Sequence, residues 1–340
     1  MNLTMTRNNI LITGTGGCGV GEGLYKSLEP LNKYTLFNCN SSENSLFLFD
    51  KPSHSFIVPP AKSHNYCDTI IKICKENNIK NILPGSEPEL ITLVNNRVQF
   101  EKENILIFAN TSDVINTFDN KWETFIKLDT LNIRTPDTTI NLNDSLFFER
   151  NNYPLVVKPI IGNASKNVFT IYSNEELVCI TQYMTLKNVP FVIQEYVGIA
   201  EEEYTISVLS DFSGDYLGSI VFRRILAGGF SQYVECDLFE EIDKIAQDVA
   251  LTISSKGPLN IQCRLVNGEL CIFEINPRFS GTTPFRTLLG FNEADILLSK
   301  VLENKIVFDK ENIQTGSFGV RGFEEKVYAK IFKDKVKKYI

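Results

Sequence analysis

The chain has 340 residues, of which 43% are hydrophobic and 22% charged, a composition typical of a globular protein of about two domains. Its formal net charge of −7 argues against non-specific binding of nucleic acid, which needs a basic face. No apolar run approaches the roughly 18 residues of a membrane span, and the first one, at residues 10–12, is too short for a signal-peptide core.

We therefore expect a cytoplasmic protein that binds neither nucleic acid nor membrane. The eight cysteines form no CxxC pair and there are two histidines, so a zinc site is not expected. Reduced cysteines packed in a core are the better interpretation.

Residues 1–115 alternate short apolar runs with helical patterns. Such a βα repeat predicts a mainly parallel, Rossmann-like sheet with helices on both faces. The apolar runs are ILIT (10–13), YTLFN (34–38), SFIV (55–58), NILP (81–84) and ILIFA (105–109).

A glycine-rich stretch, GTGGCGVGEG at 14–23, follows the first run and opens a helix. Gly14, Gly16 and Gly19 match the G-x-G-x-x-G pattern that brings a phosphate to a helix N-terminus. A nicotinamide dinucleotide would also need an acid near the end of the second strand, where the sequence reads LFNCNSS. We therefore expect a tight turn without a dinucleotide, and a nicotinamide-dependent oxidoreductase stays as an alternative.

The pattern changes after about residue 120, where strands at irregular spacing are joined by turns. One helix is indicated by apolar residues recurring at helical spacing from Ile242 to Ile253, and Gly257-Pro258 follows it. Residues 120–305 therefore predict an α+β unit built on antiparallel sheet.

Residues 271–281, CIFEINPRFSG, begin as an apolar strand and then carry a carboxylate, an amide and an arginine within five residues. A strand that only fills a core has no need of these side chains. The preceding strand, LNIQCRLV at 259–266, leads into it through Asn267-Gly268, so the two predict a β-hairpin.

Side-chain alternation decides between two registers of this hairpin. A two-residue turn would pair Gln262 with Phe273 and leave both faces mixed. A three-residue loop ending at Glu269 would pair Gln262 with Glu274 and separate the faces. The apolar face would then collect Leu259, Ile261, Cys263, Leu265, Cys271, Phe273 and Ile275. We therefore predict the three-residue loop, with Gly268 in the left-handed conformation.

This register sets Gln262, Glu274 and Asn276 side by side on the polar face. Three oxygen donors on a rigid sheet suit a hard divalent cation, because Mg²⁺ takes few protein ligands and completes its octahedron with water and phosphate oxygens. We therefore predict a site for Mg²⁺ (or Mn²⁺). Arg278 beside this cluster would suit a phosphate oxygen.

With these residues in place, the sequence resembles the ATP-grasp superfamily, and specifically its carbamoyl-phosphate-synthase-like branch, over most of the chain. NIQ followed by FEINPRFSG looks like that branch's metal motif. Residues 119–138, DNKWETFIKLDTLNIRTPDT, look like the segment with which the family's ATP-grasp domain begins. Residues 153–168, YPLVVKPIIGNASKNV, look like its lysine strand and flexible flap, and residues 191–197, FVIQEYV, look like its hinge strand.

The resemblance implies a pre-ATP-grasp domain at 1–115 and an ATP-grasp domain at 116–305, with a lid over 125–190. Residues 306–340 would be a C-terminal segment that packs back on the ATP-grasp domain.

The resemblance also implies a role for each residue that matches a motif. Six residues would bind ATP: Lys121 and Lys158 at the phosphates, Ser165 in the flap, Glu195 and Val197 at the adenine, and Glu203 at the ribose. Arg278 would be the catalytic group that stabilises charge on the transferring phosphoryl group. Candidates to hold a substrate carboxylate are Arg223, Arg224 and Arg286.

Two departures from the family pattern stand out. The flap, GNASKN, has fewer glycines than usual, which would alter its mobility. Ser207 stands where the family often has an acid, which would alter the acceptor pocket.

The resemblance implies a ligase that uses ATP and Mg²⁺ to activate a small-molecule carboxylate as an acyl phosphate, releasing ADP and phosphate. An amine or similar nucleophile would then displace the phosphate. A single ATP-grasp unit favours a stand-alone carboxylate ligase, and leaves a homodimer and the substrates' identities open. A non-catalytic ATP-binding protein is a second alternative.

Overall fold

The computed structural model describes residues 7–16, 19–162, 165–322 and 324–340. Within these residues the strands form two six-stranded sheets and one four-stranded sheet. No helix in the described ranges has both the length and the apolar character needed to cross a membrane. The seven cysteines that the structure describes are all free thiols, and Cys18 lies outside the described residues.

The N-terminal sheet is parallel throughout, as the βα repeat predicts, with the strand order β16-β3-β2-β1-β4-β5. Its strands are β1 (Asn9–Ile12), β2 (Thr35–Asn40), β3 (Ser55–Ile57), β4 (Asn81–Leu83), β5 (Leu106–Ile107) and β16 (Lys337–Lys338). The helices of this part are α1 (Val20–Leu28), α2 (Tyr66–Glu76), α3 (Glu87–Asn95), α4 (Arg97–Lys102) and α5 (Ser112–Asp119).

The end of the chain returns to this N-terminal sheet. β16 pairs in parallel with β3, and Val336 just before it is buried against Leu48 and Ile57. The prediction placed all of 306–340 against the second domain, and this pairing corrects it for the last residues. The domain boundaries themselves stay predictions.

The four-stranded sheet, with the order β6-β9-β7-β8, is antiparallel and carries its own small core. Its strands are β6 (Thr138–Thr139), β7 (Leu155–Pro159), β8 (Phe169–Ile171) and β9 (Phe191–Glu195). The helices of this part of the chain are α6 (Lys121–Thr130), α7 (Ser145–Arg150) and α8 (Asn174–Leu186).

The second six-stranded sheet is also antiparallel, as predicted for 120–305, with the order β14-β13-β10-β11-β12-β15. Its strands are β10 (Glu203–Ser210), β11 (Tyr216–Ala227), β12 (Phe230–Cys236), β13 (Pro258–Val266), β14 (Glu269–Asn276) and β15 (Ser317–Val320). Its helices are α9 (Glu240–Thr252), α10 (Thr283–Leu288) and α11 (Glu293–Glu303).

One hydrophobic core joins the two large sheets. Ile10 and Ile12 of β1 share it with Leu24 of α1, Phe222 of β11 and Leu297 of α11. Because these side chains are 0% exposed, the N-terminal sheet and the antiparallel sheet are held in one arrangement. The glycine-rich turn at the start of α1 is thereby fixed beside the antiparallel sheet.

Two glycines allow this turn to lie against the end of β4. A Cβ on Gly85 would stand 2.1 Å from the Thr13 carbonyl oxygen and 2.4 Å from the Gly21 Cα. A Cβ on Gly21 would stand 2.4 Å from the same oxygen. All these obstructing atoms are backbone, so the close approach leaves no room for a side chain.

We expect Gly85→Ala to lower the free energy of unfolding by about 3 kcal/mol, because overpacking against fixed backbone forces the two segments apart. Urea denaturation measures this change. Gly322→Ala is the control, since its added Cβ would meet no atom within 4 Å, and its stability should stay within about 0.5 kcal/mol of the original. Equal stability of the two variants would contradict the close approach.

Candidate functional site

A cleft of about 470 Å³ lies between the four-stranded sheet and the antiparallel six-stranded sheet, and it extends to the glycine-rich turn. Among the described residues its cationic lining side chains are Lys121, Lys158, Lys166, Arg224, Arg264, Arg278 and Arg321. Its carboxylates are Glu87, Glu195, Glu203 and Glu274. This local excess of positive charge, in a chain of net charge −7, suits an anionic ligand.

The hairpin of β13 and β14 has the predicted pairing of Gln262 with Glu274, but it reaches this pairing by a different route. Val266 lies opposite Glu269, so the connection is the two-residue turn Asn267-Gly268. The two turn residues have φ values of 54° and 82°, as a type I′ turn requires. The predicted three-residue loop is therefore wrong.

A β-bulge restores the predicted pairing. The register shifts by one residue next to Gln262, and Phe273 is the extra residue of β14. Phe273 lines the cleft, although the prediction placed it on the apolar face. Leu270 and Ile272 join the core behind the hairpin instead. The alternation rule failed here because it assumes an unbroken ladder.

Of the three predicted metal donors, Gln262 and Glu274 line the cleft, whereas Asn276 is buried and is not among its lining residues. In the part of the chain that the structure describes, the Glu274 carboxylate accepts no hydrogen bond. Gln262 Oε1 accepts one from Arg224 Nη2 at 2.8 Å, and Asn276 Oδ1 accepts one from Arg278 Nη2 at 3.1 Å. Each amide oxygen keeps a second lone pair. This donor set fits a hard cation, and its role stays a prediction.

Lys158 on β7 is buried, and its Nζ lies 3.5 Å from the carbonyl oxygen of Phe273 in the bulge. Burial lowers the pKa of its ammonium to about 8; the charge of Glu274 opposes this shift, and the charges of Lys121 and Arg264 add to it. An anionic ligand would favour the charged form and raise this pKa again.

Lys121 is the first residue of α6, and the Asn120 side chain caps this helix by accepting two backbone N–H bonds. The Lys121 ammonium donates to the carbonyl oxygen of Gly162 at 2.7 Å, which ties α6 to the predicted flap. Ser165 lines the cleft in the left-handed conformation, with φ 54°. The middle of the flap, 163–164, lies outside the described residues.

Glu195 at the end of the hinge strand β9 and Val197, two residues after it, line the cleft. The Glu195 backbone N–H donates to the Asp137 carbonyl oxygen at 2.9 Å, and the Glu195 carboxylate accepts from the Asp137 N–H at 3.2 Å. The Val197 carbonyl oxygen accepts from Arg264 Nη1 at 3.1 Å. These contacts fix the hinge, and its contact with adenine stays a prediction.

Glu203 is buried, and two arginines from the neighbouring strands hold its carboxylate. Oε1 accepts from Arg224 Nε at 3.0 Å and Nη2 at 2.8 Å. Oε2 accepts from Arg264 Nε at 3.1 Å and Nη2 at 2.8 Å. A ribose hydroxyl, the partner predicted for Glu203, would therefore share these oxygens with two guanidinium groups.

Arg278 connects the hairpin to the N-terminal sheet. Its Nε and Nη2 donate to Glu87 Oε1 at 3.0 and 2.8 Å, and its Nη1 donates to the Phe279 carbonyl oxygen at 3.1 Å. Glu87 is the first residue of α3, just after β4. The guanidinium is thus held at the edge of the cleft, where its catalytic role stays a prediction.

Of the three arginines predicted to hold a substrate carboxylate, Arg224 lines the cleft and the other two do not. Arg223 is half exposed and pairs with Glu235. Arg286 is 0% exposed and pairs with Glu293 at 2.9 Å. The prediction for Arg223 and Arg286 is therefore wrong, because one lies at the surface and the other inside a core.

Ser207 is fully buried and does not line the cleft. Its hydroxyl donates to Glu293 of α11, the carboxylate that also pairs with Arg286. A carboxylate therefore lies beside Ser207, although it comes from another element. The predicted effect of Ser207 on an acceptor pocket would have to act through this buried pair.

The glycine-rich turn belongs to the same cleft, which Gly14, Gly16 and Gly19 line. Gly14 has φ 60°, and a Cβ there would stand 2.4 Å from Oε2 of the buried Glu89. Burial raises the pKa of Glu89. Residues 17–18 of the predicted motif lie outside the described residues.

Several lining residues received no role from the sequence, and Arg264, Glu87 and Phe273 are three of them. Arg264 was on the predicted polar face, but nothing indicated that it would bind Glu203 and the hinge. Glu87 follows β4 at the carboxyl edge of the parallel sheet, a position that could have marked it. Phe273 could not be found, because the sequence gives no sign of the bulge.

Two family profiles match the chain. Residues 10–108 match the N-terminal domain described as PylC-like, and residues 187–321 match the family described as ATP-grasp in the biosynthetic pathway with Ter operon. The carbamoyl phosphate synthase large chain of Clostridium botulinum (strain Eklund 17B / Type B) is 25% identical over 82% of this chain and 27% of its own length. This chain thus spans between 18% and 27% of the length of the first curated relatives it matches.

Solved structures share the fold. The biotin carboxylase domain dimer of the Hydrogenobacter thermophilus 2-oxoglutarate carboxylase, in complex with MgADP, ADP and bicarbonate, has a TM-score of 0.66 and 14% identity, and the match covers 92% of this chain and 73% of that one. The L-amino acid ligase of Bacillus licheniformis has a TM-score of 0.62 and 17% identity, with 90% and 78% covered. These likenesses confirm the predicted fold class.

Lys158 leads to a pH dependence of ligand binding. We expect the affinity for ADP to fall about tenfold between about pH 7.5 and 9.5, because the free ammonium loses its proton near pH 8 while a phosphate needs it charged. Isothermal titration calorimetry measures the affinity. Lys158→Met should bind ADP weakly at every pH and lose the dependence. Lys187→Met, at an exposed position after α8, should behave as the original protein does. An ADP affinity of the original protein that does not change with pH would contradict the assignment.

Proposed function

This chain is a member of the ATP-grasp superfamily, and we propose that it is an ATP-dependent carboxylate–amine ligase. It would activate a small-molecule carboxylate as an acyl phosphate and pass the acyl group to an amine or similar nucleophile. The observation that carries this proposal is the meeting of Lys121, Lys158 and the Gln262–Glu274 pair in one cationic cleft. The structural neighbour named as an L-amino acid ligase supports ligation on this fold.

The predicted binding residues would give ATP one orientation in the cleft. The hinge residues Glu195 and Val197 would take the adenine at one end, and Glu203 would take the ribose. Lys158 contacts the bulge next to Glu274, and the phosphates would lie against these residues. A ligand with an aromatic end and a polyanionic end matches this distribution of charge.

Gln262, Glu274 and Asn276 would hold a Mg²⁺ or Mn²⁺ ion, with Glu274 as the one carboxylate of the set. When bound, such an ion neutralises charge on the terminal phosphate oxygens. The hydrogen bonds from Arg224 and Arg278 hold the two amide oxygens of this set in place.

In the reaction, a carboxylate oxygen of the substrate bonds to the γ-phosphorus while the bond to the β–γ bridging oxygen breaks, and ADP leaves. Lys121 and Lys158 neutralise the charge that develops on the phosphate oxygens, and Arg278, held by Glu87, stabilises the transferring group. The amine nitrogen then bonds to the acyl carbon, phosphate leaves, and the nitrogen loses a proton.

We expect turnover with Mg-ATP, a carboxylate and an amine to release ADP and phosphate in equal amounts. The reason is that Lys121, Lys158 and Arg278 line the same cleft as the predicted cation ligands, an arrangement that favours transfer of the terminal phosphoryl group. Nucleotide analysis by chromatography, over a panel of carboxylates and amines, measures the product. AMP as the stoichiometric product would overturn the acyl-phosphate mechanism.

Glu274→Gln should keep the fold and lower turnover by about 10²-fold or more, because it removes the only carboxylate of the predicted cation site. Glu269→Gln is the matched control on the same hairpin, since Glu269 pairs with Arg134 at the exposed turn and does not line the cleft. The measurement is the rate of ADP release. Turnover by Glu274→Gln at the original rate would remove the cation site from the proposal.

A further inference from the structure

Two successive arginines on β11 have opposite surroundings. The Arg223 side chain is 45% exposed and pairs with Glu235 on β12. Arg224 is 7% exposed and lines the cleft. Neighbouring residues of a strand point to opposite faces, so these two arginines share charge, strand and sequence context and differ in what they touch.

Arg224 contacts both ends of the predicted nucleotide site. β10 lies between β11 and β13 in the sheet. The Arg224 side chain donates to Glu203 on β10 at 2.8 Å, and the same Nη2 donates to Gln262 Oε1 on β13 at 2.8 Å. Since Nη2 carries two hydrogens, it can make both bonds at once. One rigid guanidinium therefore connects the predicted ribose acid to a predicted cation ligand.

This contact fixes the orientation of the Gln262 amide. Arginine has only donors, so it can meet the amide oxygen and not the NH₂ group. The oxygen that Arg224 holds is the atom a divalent cation requires, and its second lone pair remains for that cation. Without Arg224, the amide is free to turn and offer its NH₂ group, which cannot bind a cation.

We propose that Arg224 is a positioning residue that couples ribose recognition to cation binding, by holding Glu203 and Gln262 in one arrangement. This inference rests on the proposed function, because it assumes that a nucleotide and a divalent cation occupy the cleft. Arg224 acts through these two side chains and need not touch the reacting atoms.

Charge alone predicts a different outcome. Removing a cation beside a cation site would strengthen metal binding if Arg224 acted only through its charge. If Arg224 positions Gln262, its removal weakens metal binding instead. The direction of this change therefore separates the two roles.

The experiment measures two ratios by isothermal titration calorimetry. The first is the ADP affinity with Mg²⁺ over that with EDTA, and the second is the affinity for ADP over that for 2′-deoxy-ADP, both in Mg²⁺. We expect Arg224→Gln to lower each ratio about tenfold, the size typical of removing a group that orients a metal ligand. Arg223→Gln should leave both ratios unchanged.

Arg224→Lys is the second variant, which carries the test if Arg224→Gln does not fold. Lysine keeps the positive charge but lacks the planar guanidinium that donates to both Glu203 and Gln262, so both ratios should still fall. Unchanged ratios in both variants, or a lower overall affinity with the ratios unchanged, would overturn the positioning role while leaving the proposed function in place. Failure of the original protein to bind ADP would overturn the proposed function, and this inference with it.

Discussion

The β-bulge in the hairpin of β13 and β14 is the constraint on which the cleft depends. The Asn267-Gly268 turn alone would set Gln262 opposite Phe273, and the extra residue shifts the register so that Gln262 meets Glu274. The inserted Phe273 also brings its carbonyl oxygen to 3.5 Å from the Lys158 ammonium. A single irregularity thus places two donor side chains opposite each other and gives the buried lysine a polar neighbour, which is why bulges are found beside functional sites.

Several buried charged side chains are paired with one another, and Lys158 differs from them. Arg286 and Glu293 are both 0% exposed and neutralise each other, and Glu203 holds two arginines at once. Such buried charges need partners, because an unpaired charge in a core costs several kcal/mol. In the described part of the chain, Lys158 lies within ion-pair distance of no carboxylate, and its pKa is lowered to about 8. Arg286, Glu293 and Glu203 thus have counter-charges within the protein, whereas the charge of Lys158 would be completed by a ligand.

The sequence predicted the fold from local patterns that the structure follows closely. The five apolar runs of the first 115 residues lie at β1 to β5, and the helical spacing from Ile242 to Ile253 lies at α9. These elements were predictable because side-chain periodicity is local. Pairing between β16 and β3 was not, since it joins residues more than 270 positions apart through two short segments with no distinctive pattern.

The site was predictable as a set of residues and not as a network of contacts. The position of Gln262 opposite Glu274 was correct, although the loop that justified it was wrong. The prediction made the loop one residue too long and omitted the bulge. Each error shifts the register by one residue, and the two shifts cancel. The sequence alone does not distinguish the adjacent residues Arg223 and Arg224. The structure does, because the Arg223 side chain is half exposed and the Arg224 side chain is buried. What a side chain does in this cleft is decided by which neighbour already holds it. The chemistry of the site therefore depends on contacts between strands, and these contacts cannot be predicted from single sequence motifs.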